Sequence, residues 1–179
     1  MFSCPRQQNA SDIQAPNKTN TNNFSLLDIG NKFITDQKIS EYILDLDEFT
    51  IIKQIGNGGF ADVFLVENKT TKKQYAAKVS LIDSTHLQEK DSFSTEVQIL
   101  INVNNPAVIR IIGFSLCDFN NNPYPSIILD YMPNGTLAQI INEDQNDSTE
   151  WTCTKRYINL LGIAIGMKYL ESNKILHGQ

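Results

Sequence analysis

The sequence predicts an α+β fold: a five-stranded antiparallel sheet with one helix inserted after its third strand, followed by a helical segment. Three observations carry this. Runs rich in β-branched residues recur between turn-forming clusters, the signature of short strands joined by hairpins. Between the third and fourth runs the apolar residues change to helical spacing. Near the end, from Thr152 to Ser172, apolar residues surround nearly the whole circumference of a helix, the pattern of one meant to be enclosed.

Taken in order, residues 1–23 are dominated by Asn, Gln, Ser, Thr and Pro and follow neither hydrophobic period. They cannot repay the entropy of ordering and are expected to form a disordered polar tail. From 24 to 48, short apolar pairs (Leu26-Leu27, Phe33-Ile34) and the triplet Tyr42-Ile43-Leu44 alternate with acidic residues, which reads as a lead-in segment packing loosely on the strands after it. Phe49 to Ile55, then Gly56-Asn57-Gly58-Gly59, then Val63 to Val66 read as two strands joined by a glycine-rich turn, and Gln74 to Val79 as a third strand. Phe93, Val97, Leu100 and Ile101 place one amphipathic helix between His86 and Val103. Val108 to Cys117 and Ser126 to Asp130 complete the five strands, separated by the turn-rich stretch 120–125. Pro133-Asn134-Gly135 breaks the chain, a short helix covers Thr136 to Ile141, an acidic loop runs to Thr149, and the apolar helix comes last.

A length of 179 residues suits one folded unit with a tail, and 41% hydrophobic with 20% charged residues is ordinary globular usage. With 15 Lys and Arg against 20 Asp and Glu, a formal charge of −5 disfavours nucleic acid or an anionic membrane surface as main partner. The polar start gives no signal-peptide core, and no stretch reaches the ~20 apolar residues of a membrane span. An intracellular, cytoplasmic protein is expected. Cys4, Cys117 and Cys153 are too widely spaced for a disulfide framework or a zinc pattern, so reduced, structural thiols are expected.

The glycine loop admits two meanings. Gly56-x-Gly58-x-x-Ala61-x-Val63 is either a hairpin turn or a phosphate loop, in which missing β-carbons let backbone N–H groups approach a polyphosphate. The absence of a following Gly-Lys-Ser/Thr excludes a Walker A loop, and a strand rather than a helix after the glycines disfavours a dinucleotide fold. Lys78, in Ala76-Ala77-Lys78 on the third strand, could reach phosphates under the loop. Glu96 shares a helix face with Phe93 and Leu100, so its carboxylate points towards the sheet; it either sits at the rim of the apolar stripe or pairs with Lys78.

In this order and spacing, Gly56-Asn57-Gly58-Gly59-Phe60-Ala61-Asp62-Val63, Ala76-Ala77-Lys78, Glu96, Asn105-Pro106 and Asp130-Tyr131-Met132-Pro133-Asn134-Gly135-Thr136-Leu137 resemble a eukaryotic protein kinase domain, nearest the tyrosine-kinase-like group, from about Phe49 to Gln179. The resemblance implies a kinase N-lobe over 49–130 and a hinge with a truncated, two-helix C-lobe over 131–179. It implies ATP as cofactor. Lys78 and Glu96 would be the catalytic ion pair, and Asp130 and Met132 would bind adenine through their backbone. Leu129 would be the gatekeeper, Ile55, Val63 and Ala76 the walls of the slot, and Gly56, Asn57, Gly58, Gly59, Phe60 and Ala61 the phosphate loop.

Two departures from the family pattern stand out. Ala61 replaces the third glycine, and His177-Gly178-Gln179 stands where the family has His-Arg-Asp. An amide cannot take up a proton near neutral pH, so Gln179 cannot replace the catalytic carboxylate. The catalytic-loop Asn and the Asp-Phe-Gly metal ligand have no counterpart in these residues, so the Mg²⁺ expected for the family lacks its ligands and no metal residue is assigned. The resulting expectation is a protein kinase domain, by family a serine/threonine phosphotransferase, truncated before its catalytic Asp. The alternative is a non-catalytic, pseudokinase-like nucleotide-binding or interaction fragment. The apolar helix 152–172 is expected to drive self-association if left bare.

Overall fold

The computed structural model describes residues 37–82, 87–144 and 151–176. The expected tail, the first part of the lead-in, most of the acidic loop before Thr149 and the His177-Gly178-Gln179 stretch lie outside the described residues. Along the chain come α1 (Gln37–Ser40), a 3₁₀ turn (Leu46–Glu48), β1 (Phe49–Asn57), β2 (Ala61–Asn68), β3 (Gln74–Ser80), α2 (Leu87–Asn102), β4 (Ile111–Ser115), β5 (Ser126–Asp130), α3 (Leu137–Asp144) and α4 (Cys153–Ser172). The strands form one antiparallel sheet in the order β1-β2-β3-β5-β4, with the helix α2 inserted after the third strand, as the sequence predicts.

Several of the runs have different limits in the structure, and the short helix expected over Thr136 to Ile141 covers Leu137–Asp144. The fourth strand is shorter than Val108 to Cys117, because the Val108 N–H donates to the Asn105 carbonyl and the Ala107 N–H to the Asn105 side chain, closing a turn before the sheet begins. The hairpin strands are longer than the β-branched runs. Their pairing continues through Gly56 opposite Val63 and Asn57 opposite Asp62, with irregularities after Ile51 and Gln54.

Alternation along the strands divides the apolar residues between two faces. On one, Ile111, Phe114 and Ile127 pack with Val97 and Ile101 of α2, and Phe93 meets Phe114 edge to face at 6.1 Å. On the other, Val66, Ala77 and Ile128 pack with Leu46 and Phe49, and Tyr75 meets Phe49 edge to face at 5.9 Å.

The described part of the lead-in is not loosely packed. Ile39 joins the first cluster and Leu46 the second, each only 7% exposed. Cys117 is buried and disulfide-bonded, so the expectation of reduced thiols does not hold for it; Cys153 is free and exposed.

Thr152 caps α4 by accepting from the Lys155 N–H. The helix touches the sheet-bearing part through the turn after α2. The Tyr169 hydroxyl accepts from the Asn104 N–H at 3.0 Å, and a β-carbon on Gly166 would lie 3.1 Å from that of Ala107. Gly166 and Leu170 are its buried residues, whereas Tyr157, Ile158, Leu160 and Leu161 are each at least 60% exposed. The sequence pattern of an enclosed helix is therefore not matched by enclosure among the described residues. No helix of the described residues is long and apolar enough to cross a membrane.

Phe114 is fully buried at the junction of sheet and α2. Phe114→Ala is expected to cost about 3–5 kcal/mol of unfolding free energy, a loss that urea titration followed by circular dichroism measures.

Candidate functional site

Pairing register decides what the sheet offers to one side. Val63 lies opposite Lys78 and Leu65 opposite Ala76 across β2 and β3, while Ala76 lies opposite Leu129 across β3 and β5. Directly paired residues share a face, so Val63, Ala76, Lys78 and Leu129 line up on the α2 side of the sheet. Ala76 is buried, Val63 and Leu129 are half-buried, and Ile55 is more open. Val63, Ala76 and Leu129 form a shallow apolar groove along this face that ends at the Lys78 ammonium. The Lys78 Nζ lies 2.5 Å from the Glu96 Oε1, which bridges β3 to α2.

Both partners of this pair keep about a third of their side-chain surface in solvent, at 35% and 38%. Screening at such exposure leaves little net stabilisation, so what the pair provides is a fixed position for the ammonium. An open cavity of about 500 Å³ runs along the same face of α2, lined by Ser92, Thr95, Glu96, Ile99 and Leu100.

The glycine loop joins β1 to β2 beyond the paired residues Asn57 and Asp62. The Gly58 N–H donates to the Ala61 carbonyl at 2.9 Å, the Leu81 N–H donates to the Phe60 carbonyl at 3.0 Å, and the Gln54 amide reaches the Asp62 carboxylate at 2.9 Å. None of its glycines has a left-handed backbone. Their contribution is a bare crown: a β-carbon on Gly59 would meet nothing within 4 Å, and Phe60 beside it is 78% exposed. Asn57 ends β1, and Ala61, in place of a third glycine, opens β2 without disturbing the turn.

At the far end, β5 leads into the segment 131–136. Among the described residues, neither the N–H nor the carbonyl of Met132 has a hydrogen-bond partner, and its side chain is exposed. An unpaired donor and acceptor beside an apolar groove suits a planar heterocycle with a polar edge.

The Asp130 side chain has a role that the sequence reasoning, which uses only its backbone, misses. Arg110 donates to both carboxylate oxygens, Nε to Oδ2 at 2.9 Å and Nη2 to Oδ1 at 3.1 Å. Lys73 adds a contact at 3.7 Å while lying 5.2 Å from the centre of the Tyr75 ring. The Asp130 N–H also donates to the Arg110 carbonyl, so side chain and backbone both fasten the end of β5 to the residue preceding β4. A charged residue interrupting the apolar run at Ile109-Arg110-Ile111 is the available signal.

The chain matches the sequence model of the family described as "Protein kinase domain" over residues 49–178. It is 31% identical over 133 residues to "Probable serine/threonine protein kinase IREH1" of Arabidopsis thaliana, covering 74% of this chain and 10% of that protein. It is 36% identical over 112 residues to "LRR receptor-like serine/threonine-protein kinase RGI1" of the same plant, covering 62% and 9%. It is 28% identical over 129 residues to "Inhibitor of nuclear factor kappa-B kinase subunit alpha" of Xenopus laevis, covering 69% and 17%. The chain thus spans less than a fifth of the length of each of these relatives.

The hydrogen bonds from Arg110 hold the Asp130 carboxyl below its ordinary value of 3.8, against the opposing effect of partial burial and with a smaller contribution from Lys73. A group whose folded-state value is lowered contributes stability that is complete above its unfolded value and is lost as pH falls through the folded one. Below about pH 4 the native chain is therefore expected to lose stability more steeply than Asp130→Asn, with a constant offset between the two above about pH 5. Melting temperatures from acid to neutral pH check this, and parallel curves would contradict it.

Proposed function

Because the chain belongs to the protein kinase domain family, we propose that residues 49–178 form the ATP-gripping half of a serine/threonine phosphotransferase. The observation that carries this reading is the Lys78–Glu96 pair set at the end of the apolar groove of Val63, Ala76 and Leu129, under a side-chain-free loop crown. Adenine would lie between Val63 and Ala76, with Leu129 behind it, its polar edge on the Asp130 carbonyl and the unpaired Met132 backbone groups. The backbone from Gly56 to Ala61 would cover the phosphates, with Ile55 and Phe60 at the rim. Lys78, held by Glu96, would bind phosphate oxygens and neutralise part of their charge. ATP supplies the phosphoryl group. The serine/threonine assignment rests on the names of the relatives, and a cytoplasmic setting goes with an ATP-dependent reading.

Among the described residues no three His, Cys, Asp or Glu side chains converge to hold a metal ion, so these residues offer Mg²⁺ no cage of their own. With Gln179 at the position of the general base, these 179 residues are expected to bind nucleotide without transferring phosphate. ADP at about 100 times its dissociation constant stabilises a folded protein by about 2.7 kcal/mol. A corresponding rise in melting temperature is expected for the native chain and its loss in Lys78→Ala. Label transfer from radioactive ATP to a generic protein substrate is expected to be absent from both. A shift that survives in Lys78→Ala would remove the reading.

A second proposal concerns α4. Large apolar residues forgo ~1.5–3 kcal/mol each when left in water. Tyr157, Ile158, Leu160, Leu161, Ile163, Ile165 and Met167 are all about half or more exposed. In the 179-residue chain we propose that a second copy covers them. Sedimentation velocity should give a concentration-dependent dimer, reverting to monomer in Leu161→Glu; a native monomer at all concentrations would refute it.

A further inference from the structure

We propose that residues 37–48, which lie outside the matched domain, form a strap that sets the position of α2 and so holds Glu96 against Lys78, with Ile39 as its positioning residue. The path of the segment is the first argument. Ile39 enters the cluster of Val97 and Ile101 on the α2 side of the sheet, and Val97 is the immediate neighbour of Glu96. The Lys38 ammonium donates to the Asn102 side-chain oxygen at 2.5 Å, at the last residue of α2. The chain then crosses the open edge of β4: the Phe114 N–H donates to the Tyr42 carbonyl and the Leu44 N–H to the Phe114 carbonyl, each at 2.8 Å. A parallel bridge between Ile43 and Phe114 extends the sheet by one short step. Leu46 next enters the cluster on the opposite face, and the turn is tied down by the Lys69 N–H to the Glu48 carbonyl at 2.8 Å and the Lys69 ammonium to the Asp47 carbonyl at 2.6 Å. The segment therefore wraps one sheet edge and seats side chains on both faces.

Gly113 supplies the second argument. A β-carbon there would collide with the Tyr42 carbonyl oxygen and would lie 2.5 Å from Cγ and 2.7 Å from Cδ1 of Leu44. No side chain fits between strap and strand, and the pairing of β4 with β5 is irregular between Ile111 and Gly113. This edge is shaped to receive the strap.

The Lys78–Glu96 pair is too solvated to hold a helix by itself, so the position of Glu96 follows from how α2 packs. Ile39 adds to that packing a buried side chain from outside the five strands, in the same cluster as Val97 and Ile101. If the strap merely protected an edge from pairing with other chains, α2 would not depend on it.

Two measurements on the full chain distinguish these roles. In Ile39→Ala, amide hydrogen exchange over residues 93–101 should accelerate at least about tenfold while residues 63–79 keep their native protection, a local opening rather than global loss. Zero-length carbodiimide coupling of Lys78 to Glu96, read by peptide mass spectrometry, should fall several-fold in the same variant. Ile39→Val should restore both readouts, and Gly113→Ala, which unseats the strap from the other side, should repeat the loss. Unchanged exchange and coupling in Ile39→Ala, or loss of protection in 63–79 to the same degree as in 93–101, would overturn the proposal. Neither readout uses nucleotide, so the outcome is independent of the binding function proposed above.

Discussion

Successive side chains of a strand leave on opposite faces, and β3 depends on this at every position. Ala76 and Lys78 face the groove with Val63 and Leu129, while Tyr75, Ala77 and Val79 face the other way, with Ala77 sealed against Val66 and Ile128. One strand thus supplies both a lysine for the cleft and part of the core behind it. Shifting its register by one residue would bury the ammonium against Phe49 and Leu46 and turn Ala77 into the groove, a cost far larger than anything the ion pair could return. The apolar cluster behind the sheet is what keeps Lys78 where it is.

The same ordering of magnitudes holds across the helix. A charged pair with a third of its surface wet is worth at most about 1 kcal/mol, whereas each fully buried side chain at the α2 junction contributes several times that. Phe114, Val97 and Ile127 are buried almost completely, and Phe93 closes over Phe114. Packing chooses the position of α2, and the carboxylate of Glu96 arrives within reach of Lys78 as a result. The Arg110–Asp130 fork works on the opposite side of the sheet by the same logic. It adds little energy at its exposure but fixes where β5 ends and hence where the Met132 backbone is presented.

Much of this is legible in the sequence. The β-branched runs, the helical spacing of Phe93, Val97, Leu100 and Ile101, and the coincidence of Lys78 with Glu96 each have a local signature. The lead-in escapes such reasoning for a physical reason: a segment that crosses a sheet edge gives Ile39 to one face and Leu46 to the other, so neither period 2 nor period 3.6 can register it. Arg110 escapes it because its partner lies twenty residues away on another strand, and an isolated charge in a strand resembles any solvated one. For α4 the apolar circumference tells what the helix needs to touch, and composition cannot supply what touches it.

The described contacts link these parts in series. Ile39 packs on Val97 and Ile101; one turn further, Asn104 donates to the Tyr169 hydroxyl and Ala107 receives the bare face of Gly166. The strap, α2 and α4 therefore share one line of contact, with Glu96 projecting from its middle. Gly166 matters here through size alone: it sits in a helix without a left-handed backbone, and its missing side chain lets α4 approach to within van der Waals contact of the turn. Because packed side chains resist compression, a displacement of α4 at Gly166 and Tyr169 acts on the end of α2, and a displacement of the strap at Ile39 acts on its middle. Among the described contacts, the strap thus meets the Val97–Ile101 cluster and α4 meets the turn at Asn104 and Ala107, so both bear on the helix that carries Glu96.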